Sequence, residues 1–343
     1  MSWQSQLRSA ISSISELEQF LDCPLPTLDY PVKIPVKFAT RIKNAGKNSA
    51  LWKQFIPSSQ EQSSVGLSDP IGDATYCKTP GLIHRYNNRA LLTPTRSCPV
   101  ICRYCFRKNE LYTDEETLKF RLNEAIAYLS EHTEVNEVIL TGGDPLMLSD
   151  DKLLKVMGSL AQLNHIKFMR IHTRFPIVIE QRLDSSFLNL CLESKKRFKR
   201  FFLTLHINHP QELSEELKTR IFDFHLSGIE ILSQTVLLKG VNDDTDVLLS
   251  LYRELSEIGV TPYYLHHPDL ARGTSHFWLT LEQGRKIYAD LRNKLSGWAL
   301  PEYIIDIPSG FGKTPAYNPE GYTYSGKLLD RKGRLLNVNL DKI

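Results

Sequence analysis

Apolar and polar positions change rhythm along this chain. Up to about residue 85 the pattern is broken. A helix is expected near 3–21, then a proline-broken stretch "CPLPTLDYPVKIPVKF", a short helical piece near 37–46, and a polar loop "SSQEQSSVGLSDPIGD". From residue 89 onward, short apolar runs alternate with helical periodicity. "RALLTPT" reads as a strand. "DEETLKFRLNEAIAYLSEH" places Leu118, Leu122, Ala125, Ile126 and Leu129 on one helical face, and "NEVILTGG" is a buried strand stopped by glycines. The alternation continues with strands at "IKFMRIHTR", "RFFLTLHIN", "IEILSQTVLLKG" and "VTPYYLHH". Helices lie between them, one stopped at Gly228 and the last capped by Thr280.

Six strands alternating with six helices predict an α/β fold with a parallel sheet and helices outside. A closed TIM barrel has eight units. The expectation is therefore a partial, TIM-like (β/α)6 barrel spanning residues 86–300. Residues 1–85 form a mostly helical accessory segment, and 301–343 a C-terminal loop and β extension with two strands around an "RKG" turn. In such sheets the chemistry gathers where strands end and loops begin.

Charge and composition narrow the classes. A formal charge of +3 over 343 residues argues against a dedicated nucleic-acid surface. No stretch approaches the roughly 20 apolar residues of a membrane span. The first residues lack the apolar core of a secretion signal, so a cytoplasmic enzyme is expected. In a reducing compartment, clustered cysteines point to metal or redox chemistry. Three of the six cysteines, Cys98, Cys102 and Cys105, fall within "CPVICRYC", just after the first strand of the alternation. Cys23, Cys77 and Cys191 are scattered and read as structural thiols. A distant ligand such as His84 would complete a zinc site. An iron–sulfur cluster normally takes four thiolates, so three would leave one iron open to a substrate.

The Cys-x3-Cys-x2-Cys spacing, with Tyr104 before the last cysteine and "TGGDP" after the next strand, resembles the radical S-adenosylmethionine enzymes. That resemblance implies a 4Fe–4S cluster on the three cysteines, with S-adenosylmethionine chelated at the open iron. It also implies that Gly142, Gly143 and Asp144 lie near that cofactor. Over roughly residues 80–325, "PGLIHRYNNRALL", "CRYCFR", "TGGDPL", "QTVLLKGVND", "PYYLHHPDLARGTSHF" and "GKTP" resemble the lysine 2,3-aminomutase family.

The family likeness implies further roles. Lys313 would hold pyridoxal 5'-phosphate as a Schiff base. Arg85, Tyr86, Arg89 and Gln234 would place that cofactor and its phosphate. Arg107 would bind the substrate carboxylate, and Asp269 and Asp306 the distal ammonium of L-lysine. His206 is a candidate cofactor contact, His209 lies near it, and "RIHTR" is expected to reach the end groups of S-adenosylmethionine. "CRYCFR" and "RIHTRFPIVI" look like the bacterial branch that makes (R)-β-lysine for elongation factor P. That branch implies a downstream ligase, and the radical chemistry implies an electron donor such as flavodoxin or ferredoxin. No cysteine follows Cys191, so the structural zinc of the clostridial type is not expected. Two other readings stay open on the residues: an aminomutase for another amino acid such as glutamate, and a zinc-stabilised α/β binding protein without enzymatic activity.

Overall fold

The computed structural model describes residues 2–111, 120–317, 327–329 and 335–337. The N-terminal segment opens with α1 (Trp3–Arg8) and α2 (Ile14–Leu21). These are two helices where the sequence predicts one. The break has two local causes. Ser13 caps α2 in a reciprocal pair with Glu16, which favours a fresh start there. Ile11 meanwhile exchanges two main-chain hydrogen bonds of 2.9 Å with Ile34. Next come α3 (Val36–Ala45), as expected, and α4 (Ala50–Phe55), which the sequence reading does not include. Phe38 of α3 and Phe55 of α4 meet edge to face with ring centres 4.9 Å apart.

The short helix α5 (Asp73–Tyr76) leads into β1 (Cys77–Thr79), β2 (Leu82–Tyr86) and β3 (Arg89–Leu92). The alternation then runs α6 (Leu122–Glu131), β4 (Glu137–Leu140), α7 (Asp150–Ala161), β5 (Phe168–Thr173), α8 (Phe175–Val178), α9 (Ser185–Arg197) and β6 (Arg200–His206). It continues with α10 (Glu215–Leu226), β7 (Glu230–Val236), α11 (Thr245–Glu257), β8 (Val260–His266), α12 (Leu281–Lys294), β9 (Glu302–Ile307) and β10 (Gly312–Pro315). Finally β11 (Lys327–Leu329) pairs antiparallel with β12 (Leu335–Asn337). Leu118 and the "RKG" turn lie outside the described residues.

Strands β1 to β10 form one sheet in sequence order. Strands β3 to β9 run parallel, and antiparallel hairpins flank them on both sides. The end strands β1 and β10 do not pair with each other, so the barrel is partial. The parallel set has seven strands, one more than the sequence predicts, because β9 continues it. The same sheet crosses residues 85/86 and 300/301, since β2 and β10 both belong to it.

Strand alternation separates two chemistries. Toward the helices, Val138, Leu140, Met169, Ile171, Leu203 and Leu205 are buried in the core. The opposite parity carries Arg170, His172, His206, Gln234 and His266, and these line a cavity.

The N-terminal segment is bolted to the cysteine loop by Glu61. Its carboxylate accepts from Arg103 Nη2 at 2.6 Å and from Lys108 Nζ at 2.7 Å. All three side chains are at most 1% exposed. Burial opposes the Glu61 charge, but the two cations outweigh it and lower its pKa. Replacing Glu61 with Gln leaves two buried cations without their counter-charge. Breaking a buried pair in this way costs about 3–5 kcal/mol. Denaturant unfolding of the Glu61→Gln variant is expected to show a loss of that order. A change within about 0.5 kcal/mol, typical of a surface substitution, would mean that the clamp carries no such weight.

Candidate active site

The inner faces of the strands and the loops beyond them enclose a cavity of about 600 Å³. Cys98, Cys102 and Cys105 line it, with Gly142, Gly143 and Asp144 from the end of β4. Arg85, Arg107, Asp269 and Lys313 also line it. Residues from widely separated parts of the sequence are thus gathered where the strands end.

At the cysteine end the backbone is held tightly. Gly143 N–H donates to Thr95 O at 3.0 Å, and Asp144 N–H to Ser97 O at 2.9 Å. A methyl group on Gly143 would sit 2.5 Å from Ser97 O, and one on Gly142 would sit 2.6 Å from Thr93 Cβ. Gly142 also has φ +104°, which side-chain-bearing residues rarely adopt. The two glycines therefore let the β4 end lie against the cysteine loop.

Asp144, which lines the cavity, also has a local structural task. One carboxylate oxygen accepts from Thr173 Oγ1 at 2.7 Å and Leu146 N at 3.0 Å; the other accepts from Arg174 N at 2.8 Å and Phe175 N at 2.9 Å. The three donors from Thr173, Arg174 and Phe175 tie the end of β4 to the end of β5, and Leu146 N closes the local turn.

Burial, together with the neighbouring Cys102 sulfur, pushes the Cys105 thiol up to about 12. Burial and nearby acidic groups raise the Cys98 thiol well above its ordinary value. Thiols in this setting ionise when a cation takes them, and metal binding then releases protons. A soft, positively charged iron–sulfur cluster fits such a donor set. His84 does not join it, because its ring nitrogens meet Tyr128 Oη at 3.0 Å and Asn87 O at 3.3 Å. Among the described residues, no three His, Cys, Asp or Glu side chains are grouped to hold a single metal ion.

Tyr104 reaches His206 Nε2 at 3.2 Å and joins the cysteine loop to β6. Burial and the Arg174 charge hold the His206 imidazole neutral, well below its usual range. Burial likewise lowers His266 to about 3. Arg174 is buried beside Tyr104 and Phe55, with Glu212 at 3.3 Å. Its guanidinium nitrogens make no hydrogen bond, and it lines the cavity, so it offers unused donors to an anionic group there. His209 is turned elsewhere, where it caps a short turn at Gln211 N.

The other wall is a row of alternating charges. Lys313 Nζ donates to Asp306 Oδ2 at 2.5 Å, and Arg85 Nη1 donates to Asp306 Oδ1 at 3.3 Å. Arg85 Nη2 donates to Asp73 Oδ1 at 2.7 Å, and Arg107 Nη2 lies 2.5 Å from Asp73 Oδ2. Burial works against the Arg107 charge, but Asp73 and Glu110 hold it more firmly protonated than usual. Asp73 is absent from the sequence reading; nothing in "SDPIGDATY" distinguishes it from a loop carboxylate.

Tyr86 Oη accepts from Lys313 N–H at 2.8 Å, and the Arg89 guanidinium lies 3.8 Å from the Tyr86 ring centre. Arg85 Nε is buried without a hydrogen-bond partner. Together with Arg89, it leaves donors for a phosphate group. The amine, the spare guanidinium donors and the aromatic face fit pyridoxal phosphate. Gln234 also lines the cavity.

Asp269 contrasts with Asp306. It lines the cavity and its carboxylate has no hydrogen-bond or ion-pair partner among the described residues. Burial raises its pKa to about 7, with Lys313 pulling the other way. Asp306 is buried behind Lys313 and does not line the cavity.

Residues 92–251 match the family described as the Radical SAM superfamily. The chain is similar to the L-lysine 2,3-aminomutase of Buchnera aphidicola subsp. Baizongia pistaciae, 36% identical over 89% of this chain and 92% of that one. It is 33% identical to the protein of that name from Fusobacterium nucleatum, over 91% of this chain and 75% of the relative. The Escherichia coli protein of that name is also 33% identical, over 91% of this chain and 94% of the relative. With likeness over nearly the whole of both chains, the chain belongs to the L-lysine 2,3-aminomutase family of the radical SAM superfamily.

Proposed function

We propose that this chain interconverts L-lysine and β-lysine by moving the amino group between the α- and β-carbons. One observation carries the reading. A single cavity has three thiols in one wall and an amine, a guanidinium and an open carboxylate in another. The family relationship supports the same activity. Cys98, Cys102 and Cys105 would hold a 4Fe–4S cluster that, with S-adenosylmethionine, would supply a hydrogen-abstracting radical; Lys313 would hold pyridoxal phosphate, which would supply a π system for the migrating amino group once passed to the substrate amine. Abstraction suits the β-carbon, which no side-chain base in the cavity can deprotonate.

The chain's own residues then bind and orient. Arg107, held in place by Asp73, meets the substrate carboxylate. Asp269 meets the distal ammonium, and Asp306 assists it. Two carboxylates at that end disfavour glutamate by like-charge repulsion. Arg85, Tyr86, Arg89 and Gln234 hold the pyridoxal cofactor. Gly142 and Gly143 bring backbone to S-adenosylmethionine, and His206 supports the cysteine loop through Tyr104. Asp144 acts on that cofactor indirectly, by fixing the strand ends around it. Holding the substrate so that its β-hydrogen faces the radical is a positioning contribution to rate. We place the enzyme in the cytoplasm, served by a small electron-transfer protein such as flavodoxin or ferredoxin. Its β-lysine is proposed to pass to a ligase that modifies elongation factor P. No helix among the described residues is long and apolar enough to cross a membrane.

Borohydride reduction of the pyridoxal-loaded protein, followed by peptide mapping, is expected to leave the label on Lys313. A label on a different lysine would remove Lys313 from this role.

Asp269 sets a pH dependence. With its pKa near 7, its carboxylate gains charge as pH rises through that value, while a lysine ε-ammonium remains protonated. The KM for lysine is therefore expected to fall roughly tenfold between about pH 6 and pH 8. The Asp269→Asn variant should lose that slope. A charge-assisted hydrogen bond contributes about 1.5–3 kcal/mol, so its KM should rise by roughly tenfold to a hundredfold. A variant with the wild-type KM and pH profile would exclude Asp269 from the ammonium site.

A further inference from the structure

Asp306 and Lys313 stand directly opposite each other in the β9–β10 hairpin. The register places the Lys313 amine on Asp306 Oδ2 at 2.5 Å, while Arg85 takes Oδ1 at 3.3 Å. The Asp306 side chain is 3% exposed and that of Lys313 30%. Lys313 lines the cavity and Asp306 does not. Both oxygens of Asp306 are thus engaged, and the amine covers the carboxylate on its cavity side. A substrate ammonium entering the cavity meets Asp269 first.

We infer that Asp306 Oδ2 is a single cation seat with two alternative occupants: the Lys313 ammonium before the cofactor is attached, and the substrate's distal ammonium afterwards. This rests on the reading that Lys313 takes pyridoxal phosphate and that the substrate is lysine. Condensation of Lys313 with the cofactor aldehyde forms a carbon–nitrogen double bond. The carbonyl oxygen leaves as water, and the former ammonium releases one proton to solvent. The nitrogen that neutralised Oδ2 is then committed to the cofactor. A buried carboxylate without its counter-charge is costly, and an incoming ammonium restores the balance.

The two substrate aspartates therefore differ in kind. Asp269 is open whether or not the cofactor is present, whereas Asp306 opens when Lys313 is consumed. Cofactor attachment consequently favours a dibasic substrate, and by linkage a distal ammonium in the cavity favours cofactor attachment.

The probe is 6-aminohexanoate, which keeps the carboxylate and distal ammonium of lysine but has no α-amine. Hexanoate is the control without an ammonium. Calorimetry would compare three forms of the full chain, each purified anaerobically with its cluster. These are wild type loaded with pyridoxal phosphate, wild type stripped of it, and the stripped Lys313→Met variant. The expected result is binding of 6-aminohexanoate at least tenfold weaker to stripped wild type than to either of the others. Hexanoate should bind all three alike. The loaded and stripped wild-type comparison decides the matter even if the variant does not fold. Equal binding of 6-aminohexanoate to loaded and stripped wild type, weakened in both by Asp269→Asn, would overturn the shared seat and leave the lysine reading intact. No binding to any form, with loading verified by the cofactor's absorbance, would sink the lysine reading and the seat with it.

Discussion

The site depends on a buried row of charges of alternating sign: Lys313, Asp306, Arg85, Asp73 and Arg107. Except for Lys313, each of these side chains is at most 8% exposed. Charges withdrawn from water to this extent are tolerated when each has an opposite neighbour, and they become costly when one neighbour is lost. The row crosses four separate parts of the chain. Asp73 lies on α5, Arg85 on β2, Arg107 just past the cysteine loop, and Asp306 and Lys313 on the C-terminal hairpin. Its electrostatic demand sets where those parts meet. Under the proposed function, the same cations and anions would engage a phosphate, a carboxylate and an ammonium. Within this row each charge has an opposite neighbour, whereas the guanidinium nitrogens of Arg174, which also lines the cavity, make no hydrogen bond.

A second constraint is steric and acts at the cysteine end. The β4 end approaches the cysteine loop so closely that a single methyl group on Gly143 would collide with backbone. Asp144 then locks that end to the end of β5 through three hydrogen bonds. Glu61 fixes the far side of the loop through Arg103 and Lys108. The N-terminal segment is thereby part of the scaffold that holds the three thiols.

Much of this was legible in the sequence because period-two and helical patterns are local. The strand and helix alternation from β3 to α12 follows from it directly, as does the cap at Thr280, where Gln283 completes the reciprocal bonds. The cysteine spacing marks the cavity wall that the sequence indicates. What could not be read depends on pairing across long sequence separations. The membership of β9 in the parallel sheet is decided by its register with β8. Asp73 and Glu61 look like loop carboxylates until the fold sets them against arginines from other elements. Asp269 and Asp306 look equivalent in the sequence, yet hairpin register gives one of them a lysine and leaves the other open. The break between α1 and α2 turns on a main-chain bridge to Ile34, which no local propensity reveals.

Transfer of hydrogen between substrate and S-adenosylmethionine is the most direct test of radical amino migration in this cavity. Lysine deuterated at the β-carbon would be supplied to the reduced, fully loaded enzyme, and the products followed by mass spectrometry. Deuterium is expected in 5'-deoxyadenosine and at the α-carbon of β-lysine. Efficient formation of β-lysine with deuterium in neither place would contradict the mechanism.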